Sequence, residues 1–193
     1  RRGVLVPDPR GQRLRQGAVR LSARRWGVDP TGERDLPVGH DQKAGESIAI
    51  RAARRCDLEA ASKLAATLVR EHHAYDPLRF MCIEPLEEGY ERFLRSQLDR
   101  DGIVLLVAVR RLGVDETVVG YLLGGLEDRD WSDLRDACGK IHDVYVDKNA
   151  RRRGVASQLV EASVARLTAM GAPRVVLMAA WRNDSARRLF ERL

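Results

Sequence analysis

The sequence predicts an α+β fold organised around one mixed β-sheet. From residue 47 onward, segments with the two-residue period of strands and segments with the helical period follow in the order β-α-α-β-β-β-α-β-α. Residues 103–109 and 117–126 are separated only by a turn around Gly113, which indicates an antiparallel hairpin. The last two strands are separated by a helix, which requires them to be parallel. Together these features predict a mixed, mostly antiparallel sheet flanked by helices.

Length and composition favour a single cytoplasmic domain. A chain of 193 residues suits one domain with its own core. It contains no apolar run of about 18 residues, as a membrane span needs, and no signal-peptide core near its start. Cys56, Cys82 and Cys138 are far apart and odd in number. That pattern disfavours a disulfide framework or a cysteine zinc site and favours a reducing compartment.

Residues 1–46 differ from the rest of the chain in composition. They carry ten basic and six acidic residues, so +4 of the net charge of +6 lies there, together with seven of the 16 glycines. We therefore expect an irregular, basic N-terminal extension in which residues 4–6 and 19–21 are each able to add a strand. Because residues 47–193 are nearly balanced in charge, nucleic-acid binding would depend on this extension alone, and we do not expect it.

The next segments are a strand and two helices. Residues 47–52 alternate as a strand, and Asp57 stands at the expected N-cap of a helix that ends at His72 and His73. Glu84 and Pro85 begin a second amphipathic helix that is expected to end at about Leu98. Adjacent histidines on a helix point about 100° apart and lack an H-x-x-x-H spacing, so we expect no metal. We expect this histidine pair either to cap the end of the helix or to belong to a loop that shapes the entrance of a substrate site.

Glycines interrupt the second strand of the hairpin. Gly120, Gly124 and Gly125 lower strand propensity and predict bulges or a close approach of another backbone. Residues 127–139, which follow, are polar and loop-like. We expect ligand selectivity to lie in this loop and in the loop formed by residues 72–80.

Residues 141–156 carry the strongest functional signal. Their first six residues alternate between two faces, with Ile141, Asp143 and Tyr145 on one and His142, Val144 and Val146 on the other. A polar turn, three arginines and Gly154 follow, and then comes a helix that Gly171 and Pro173 stop. A strand, a basic turn and a helix N-terminus direct unpaired N–H groups and the positive end of the helix dipole at one point. This indicates a phosphate or pyrophosphate cradle; the alternative is a solvated basic turn before a surface helix.

The chain closes with one more strand and helix. Residues 174–180 form an apolar strand, and Asn183 or Asp184 caps a helix that carries Phe190 on its apolar face.

Two motifs in this order resemble those of a known family. Arg151-x-x-Gly154-x-Ala156 resembles the acyl-CoA signature [QR]-x-x-G-x-[GA] of the GNAT superfamily of N-acetyltransferases, and Asn183-x-x-Ala186-x-x-x-Phe190-Glu191 resembles its last block. The resemblance covers about residues 47–193. It implies a GNAT-like sheet whose parallel strand pair is splayed. The chain ends before the final hairpin strands expected in the family, so we expect those C-terminal strands to be missing from it.

The resemblance implies that acetyl-CoA is the co-substrate and that no metal takes part. In the family, pantetheine pairs with the first strand of the parallel pair, here through Val144 and Val146. An N–H group at Val144 or Tyr145 would face the thioester oxygen. The N–H groups of the signature turn would hold the pyrophosphate, and these belong to Arg151, Arg152, Arg153, Gly154, Val155 and Ala156. Asn183 would line the thiol end. Phe190 stands where many relatives have a tyrosine that protonates the thiolate.

The implied reaction is direct transfer of an acetyl group to a primary amine, carried by a small molecule or a peptide. A lysine-like amine has a pKa of about 10.4, so a base has to take its proton near neutral pH. His142 is the preferred side chain for this role and Asp143 the second, and a water chain to other groups is the alternative to both. Phe190 favours an alternative, a non-catalytic acyl-CoA sensor. The resemblance also allows a homodimer.

Overall fold

Six strands form one sheet in the residues that the computed structural model describes, which are 17–21, 46–180 and 182–192. The strands are β1 (Gly17–Leu21), β2 (Glu46–Ala52), β3 (Ile103–Leu112), β4 (Asp115–Glu127), β5 (Cys138–Val146) and β6 (Val175–Ala179). Their order in the sheet is β1-β6-β5-β4-β3-β2. The β5–β6 pair is parallel and the other pairs are antiparallel. The predicted mixed sheet with one parallel pair is confirmed.

Helices cover both faces of the sheet. They are α1 (Leu58–Tyr75), α2 (Leu86–Leu98), α3 (Val155–Ala169) and α4 (Asp184–Phe190). Leu58 and Leu94, from α1 and α2, share a buried cluster with Tyr121 of β4. Leu159 of α3 and Phe190 of α4 belong to a second cluster on the other face. Since successive strand residues point to opposite faces, the central strands supply both cores.

A buried ion pair joins β2 to the start of α1. Asp57 occupies the N-cap position, as predicted, but its carboxylate accepts hydrogen bonds from the Arg54 N–H (2.6 Å) and from both terminal nitrogens of Arg51 (2.6 and 2.9 Å). Because the carboxylate faces the preceding turn, it fixes the end of β2 rather than capping the helix.

The N-terminal segment contributes strand β1, which pairs antiparallel with β6 from Gly17↔Ala179 to Leu21↔Val175. The predicted strand at residues 19–21 therefore forms. The prediction for residues 4–6 lies outside the described residues.

A β-bulge in β5 changes which side chains share a face. Leu123 of β4 pairs with Asp143 and Gly124 with Ile141, so His142 has no partner residue on β4. Ile141 consequently packs in the same cluster as Val146, with Val144 against it, on the α3 side of the sheet. The predicted alternation, which put Ile141 with Asp143 and Tyr145, was wrong because one extra residue in a strand shifts its alternation.

The glycines of β4 allow close packing, as predicted. A Cβ atom on Gly124 would lie 2.9 Å from the Lys140 carbonyl oxygen, and one on Gly120 would lie 3.1 Å from that of Tyr145.

The two parallel strands diverge soon after they meet. β5 and β6 pair only from Gly139↔Val175 to Ile141↔Leu177. Residues 142–146 then continue as β5 without a partner on β6. The fold thus leaves a gap in the sheet beside the second half of β5.

Candidate functional site

The space between the diverged strands opens into a cavity of about 380 Å³, here called the strand-gap cavity. Its walls come from β5, the end of β6, α4, α1 and the loop before α2. They include Val144, Ala179, Asn183, Phe190, His72 and Phe80. Residues that are far apart in the sequence therefore meet at the point where the sheet splits.

The backbone of β5 presents polar groups to this gap. The Asp147 N–H donates to the Val119 carbonyl of β4 (2.8 Å). Because hydrogen-bonding directions alternate along an antiparallel strand, Tyr145 also faces β4, whereas Val144 and Val146 face away from it, toward the gap. Val144 and Val146 are therefore available to a ligand that pairs with β5. The backbone of Tyr145 is already used within the sheet, and that removes it from the expected N–H donors.

The turn before α3 forms a cradle of N–H groups. Gly154 is the N-cap of α3 with φ 75°, and Arg152 also has a positive φ of 67°. The Gln158 N–H donates to the Gly154 carbonyl (3.1 Å) and makes the first helical bond. The N–H groups of Val155 and Ala156 precede that bond and have no acceptor within the helix. They point out of the positive end of the helix dipole, where an anion is favoured.

Two of the three arginines hold this turn in place. The Arg151 Nε donates to the Val146 carbonyl (2.9 Å), and its guanidinium lies 5.0 Å from the centroid of the Tyr145 ring. Arg153 pairs with Glu46 at 2.8 Å. The sequence predicted backbone N–H donors and added positive charge at these positions; the structure gives the side chains of Arg151 and Arg153 partners within the protein.

Glu71 of α1 is part of the same network, and sequence reasoning missed it. It accepts a hydrogen bond from the Tyr145 hydroxyl (2.8 Å) and lies 3.7 Å from Arg151. Burial, with this hydrogen bond, raises the pKa of Tyr145 to about 12. The Tyr145 side chain thus lies on the α1 side of the sheet, where its contacts with Glu71 and Arg151 support the turn before α3.

At the other end of the gap, Asn183 and Phe190 lie where the last motif places them. The Asn183 Oδ1 accepts from the Ala186 N–H (3.1 Å), so Asn183, and not Asp184, caps α4. Phe190 is buried, and both residues line the strand-gap cavity.

A second cavity, of about 690 Å³, runs beneath α2 and is here called the α2 cavity. Both cavities are lined by Met81, Tyr90, His142 and Asp143. The two candidate bases of the sequence analysis therefore lie where the cavities meet.

His142 is held by a carboxylate at this junction. Its Nε2 atom lies 3.2 Å from Oε1 of Glu127, whose other oxygen accepts from Arg135 (3.1 Å). Partial burial lowers the pKa of His142, although Glu127 opposes that shift. A neutral imidazole that donates its Nε2 proton to Glu127 keeps a lone pair on Nδ1, which is able to accept a proton. Glu127 was missed from the sequence because it lies in another strand; an acidic residue ending an apolar strand was the available signal.

Asp143 lies next to it and is held by a tyrosine. Its Oδ2 accepts from the Tyr121 hydroxyl at 3.3 Å. Burial raises the pKa of Asp143, while the Tyr121 hydrogen bond opposes that shift. Burial, together with Asp143, also raises the pKa of Tyr90 to about 12.

The histidine pair at the end of α1 shapes the wall of the site. The His72 Nδ1 lies 2.9 Å from the Leu68 carbonyl, and the His73 Nδ1 lies 2.7 Å from that of Phe80. His73 thus ties the loop before α2 to the helix. Across the described parts of the chain, no group of three His, Cys, Asp or Glu side chains is arranged to hold a metal ion. Nor does any helix in residues 46–180 or 182–192 have the length and apolar character to cross a membrane.

A family model and several solved structures match this chain. The model of the acetyltransferase (GNAT) family matches residues 66–193. A search of the curated proteins found no match.

Solved structures with a similar fold share about a fifth of the aligned sequence. A mutant protein from Bacillus halodurans has a TM-score of 0.62 and 19% identity, covering 74% of this chain and 88% of that chain. An aminoglycoside N-acetyltransferase in complex with CoA has a TM-score of 0.61 and 19% identity, covering 76% and 86%. A ribosomal-protein-alanine N-acetyltransferase from Brucella melitensis biovar Abortus has a TM-score of 0.53 and 19% identity, covering 76% and 89%. At these identities the likeness establishes a shared fold.

Proposed function

Since the chain belongs to the acetyltransferase (GNAT) family and is an N-acetyltransferase, we propose that it takes the acetyl group from acetyl-CoA and transfers it directly to a primary amine. The observation that carries this proposal is the meeting of two cavities at His142 and Asp143. One cavity lies in the split of the sheet, between Val144 and Ala179, and the other opens beneath α2. A donor and an acceptor entering from these two sides would meet at the candidate bases.

The donor side offers groups suited to each part of acetyl-CoA. The N–H groups at the start of α3, from Val155 and Ala156, would hold the pyrophosphate. The gap-facing backbone groups of Val144 and Val146 would pair with the amides of pantetheine, as an added strand does. Asn183 would lie near the thiol end. The Val146 carbonyl already accepts from Arg151, and its second lone pair would serve the ligand.

His142 is the proposed base on the acceptor side. Its Nδ1 would take a proton from the ammonium, which leaves the amine nitrogen with a lone pair. That nitrogen would form a bond to the thioester carbon while the carbon–sulfur bond breaks and its electron pair leaves with sulfur, and the second proton that the new amide nitrogen has to lose would pass to solvent. The Val144 N–H would stabilise the thioester oxygen as negative charge builds on it. Phe190 cannot supply a proton, but a free thiol has a pKa of about 8.5, so coenzyme A is able to leave as the thiolate and take its proton from solvent.

Asp143 has a different proposed role, which is to receive the ammonium before transfer. Its carboxylate lines both cavities and keeps one oxygen clear of the Tyr121 hydrogen bond. An ion pair with the substrate would bring the nitrogen next to His142. If Asp143 were itself the base, its substitution would abolish turnover rather than weaken amine binding.

The proposal is tested by measuring thiol release from acetyl-CoA with a panel of primary amines, alongside calorimetric binding of acetyl-CoA. We expect acetyl-CoA to bind and thiol release to depend on the amine. Binding without release for every amine tried would favour a non-catalytic acyl-CoA sensor. Failure to bind acetyl-CoA would contradict the assignment of the cradle at α3.

A further inference from the structure

The α2 cavity has mostly apolar walls that are exposed to water. Nine of the fourteen described residues that line it are apolar, aromatic or glycine: Met81, Ile83, Leu86, Gly89, Tyr90, Phe93, Ile103, Leu123 and Leu126. Four of these side chains are strongly exposed: Ile83 at 70%, Met81 at 65%, Phe93 at 44% and Leu126 at 41%. Large apolar side chains gathered around one opening favour a ligand that covers them with apolar surface.

The charges along the described walls suit one positive group. Glu127 and Asp143 are the carboxylates that line the cavity. Glu127 already accepts from Arg135 and lies against His142, so Asp143 is the carboxylate left for an ammonium. A third charged residue of the wall is cationic: Arg100 donates to the Gln97 side chain at 2.9 Å. A second ammonium near Arg100 would be repelled.

Helix α2 sets the distance between Asp143, which would bind the ammonium, and the cation Arg100. α2 presents one face to the cavity along its length, from Leu86 past Tyr90 and Phe93 to Gln97. Tyr90 lies near Asp143, which affects its pKa, and Gln97 holds Arg100. Gln97 is seven positions after Tyr90, which corresponds to about 10 Å along a helix. That distance matches an extended chain of about eight carbon atoms.

We infer that the acceptor is an amine with a single positive charge and an apolar body, bound with its ammonium at Asp143 and its body along α2, and that polycations are poor substrates. This inference rests on the proposed function, because it treats the α2 cavity as the acceptor side of the transferase. It goes further by stating which class of amine the described walls select.

Three amines of equal chain length test the inference: octylamine, diaminooctane and the corresponding diether amine, in which two methylene groups are replaced by oxygen. Thiol release at saturating acetyl-CoA gives kcat/KM for each. We expect octylamine to exceed both of the others at least tenfold. Diaminooctane carries a second charge toward Arg100, and the diether loses apolar contact with Phe93 and Leu126. Equal or higher kcat/KM with diaminooctane would overturn the inference.

Variants of the protein test the repulsion by Arg100 and the apolar contact with Phe93 separately. Arg100→Glu should raise kcat/KM for diaminooctane relative to octylamine at least tenfold, because a carboxylate would then face the second ammonium. Phe93→Ala should lower kcat/KM for octylamine at least fivefold and leave the diether nearly unchanged. Val114→Ala, in the exposed turn of the β3–β4 hairpin, should leave all ratios as they are. If neither pocket variant changes its ratio, the inference is wrong.

Direct binding distinguishes this inference from the proposed function. Saturation-transfer NMR with CoA present reports whether each amine binds, without requiring turnover. Selective binding of octylamine without acetylation would support the preference of the α2 cavity for an amine with one charge and an apolar body, and would contradict the proposed function. Acetylation that favours diaminooctane would support the proposed function and contradict the inference. No binding and no acetylation of any of the three amines would contradict both.

Discussion

The Nε2 atom of His142 lies 3.2 Å from Oε1 of Glu127, and His142 is the residue of β5 that has no partner on β4. Because of the bulge, the His142 side chain does not follow the regular alternation of the strand, and the contact with Glu127 fixes the orientation of its ring. With Nε2 directed at a carboxylate, Nδ1 is the nitrogen left for a substrate. In known enzymes a carboxylate orients a histidine that acts as a base, which supports the role proposed for His142.

His142→Gln should lower kcat by about 10²–10⁴, because glutamine keeps a polar group but cannot take the proton of the amine. His142 accepts a proton only when it is neutral. In the unmodified protein kcat/KM should therefore fall as the pH drops through the His142 pKa, which burial holds below its ordinary value. The variant should lose this acidic limb. Thiol-release rates across pH, with acetyl-CoA affinity as the control, measure both effects; near-normal turnover would exclude His142 as the base.

Glu127→Gln should move the acidic limb rather than remove it. The Glu127 carboxylate raises the pKa of His142 against the effect of burial, so its loss lowers that pKa further and shifts the limb to lower pH. We also expect kcat to fall about tenfold, since the imidazole loses its orienting partner. Glu88→Gln, an exposed change on α2, is the matched control. An unmoved pH profile would show that Glu127 has no influence on the base.

Asp143→Asn should raise the KM for the amine about 10–100-fold, the usual effect of losing a hydrogen bond to a charged partner. The effect on kcat should be smaller, because in this assignment Asp143 receives the ammonium and does not take its proton. Steady-state kinetics with the amine varied give the two constants separately. A loss confined to kcat would instead make Asp143 the base.

Gly154→Val should weaken acetyl-CoA binding about tenfold. Gly154 has φ 75°, and a β-branched residue is strained there by roughly 1–2 kcal/mol, so the turn would relax and its N–H groups would lose their common direction. Gly113→Val is the matched control: Gly113 has φ 60° in the β3–β4 turn and open space around it. Calorimetry should find normal acetyl-CoA affinity in the control. Equal loss in both variants would attribute the effect to general destabilisation.

Asp57→Asn should reduce the free energy of unfolding at neutral pH by about 2 kcal/mol, since it removes the closer of the two carboxylates that pair with the partly buried Arg51 and leaves only Glu116, at 3.3 Å. Burial raises the pKa of Asp57, but hydrogen bonds from Arg51 and the Arg54 N–H outweigh it and hold the pKa below the ordinary value. The folded pKa thus lies below the unfolded one. The stabilisation is present above the unfolded pKa and is lost as the pH falls through the folded one.

Urea denaturation at neutral pH and near pH 3 tests this expectation. The difference between the unmodified protein and Asp57→Asn should shrink at the lower pH, whereas Asp133→Asn, in an exposed loop, should change little at either. A difference that stays constant with pH would mean that the Arg51–Asp57 charges contribute nothing beyond packing.

Much of the fold followed from local patterns. The hairpin at Gly113, the parallel β5–β6 pair and a helix cap at Asn183 or Asp184 were predicted, because turns, helical spacing and caps depend on neighbouring residues. The face of the sheet on which Ile141 lies was predicted wrongly, because a bulge depends on how two strands pair and no residue pattern in either strand marks it. Glu127 and Glu71 were missed for a related reason: each acts on a residue of another element.

The sequence by itself determined the order of strands and helices, the turn at Gly154 and the family to which the motifs point, because these depend on residues a few positions apart. Only the tertiary structure decided which backbone groups of β5 face the gap and that Arg151 binds the Val146 carbonyl. It also decided that His142 lies against Glu127 where the two cavities meet. These contacts are between residues that are far apart in the sequence, and strand pairing and packing bring those residues together.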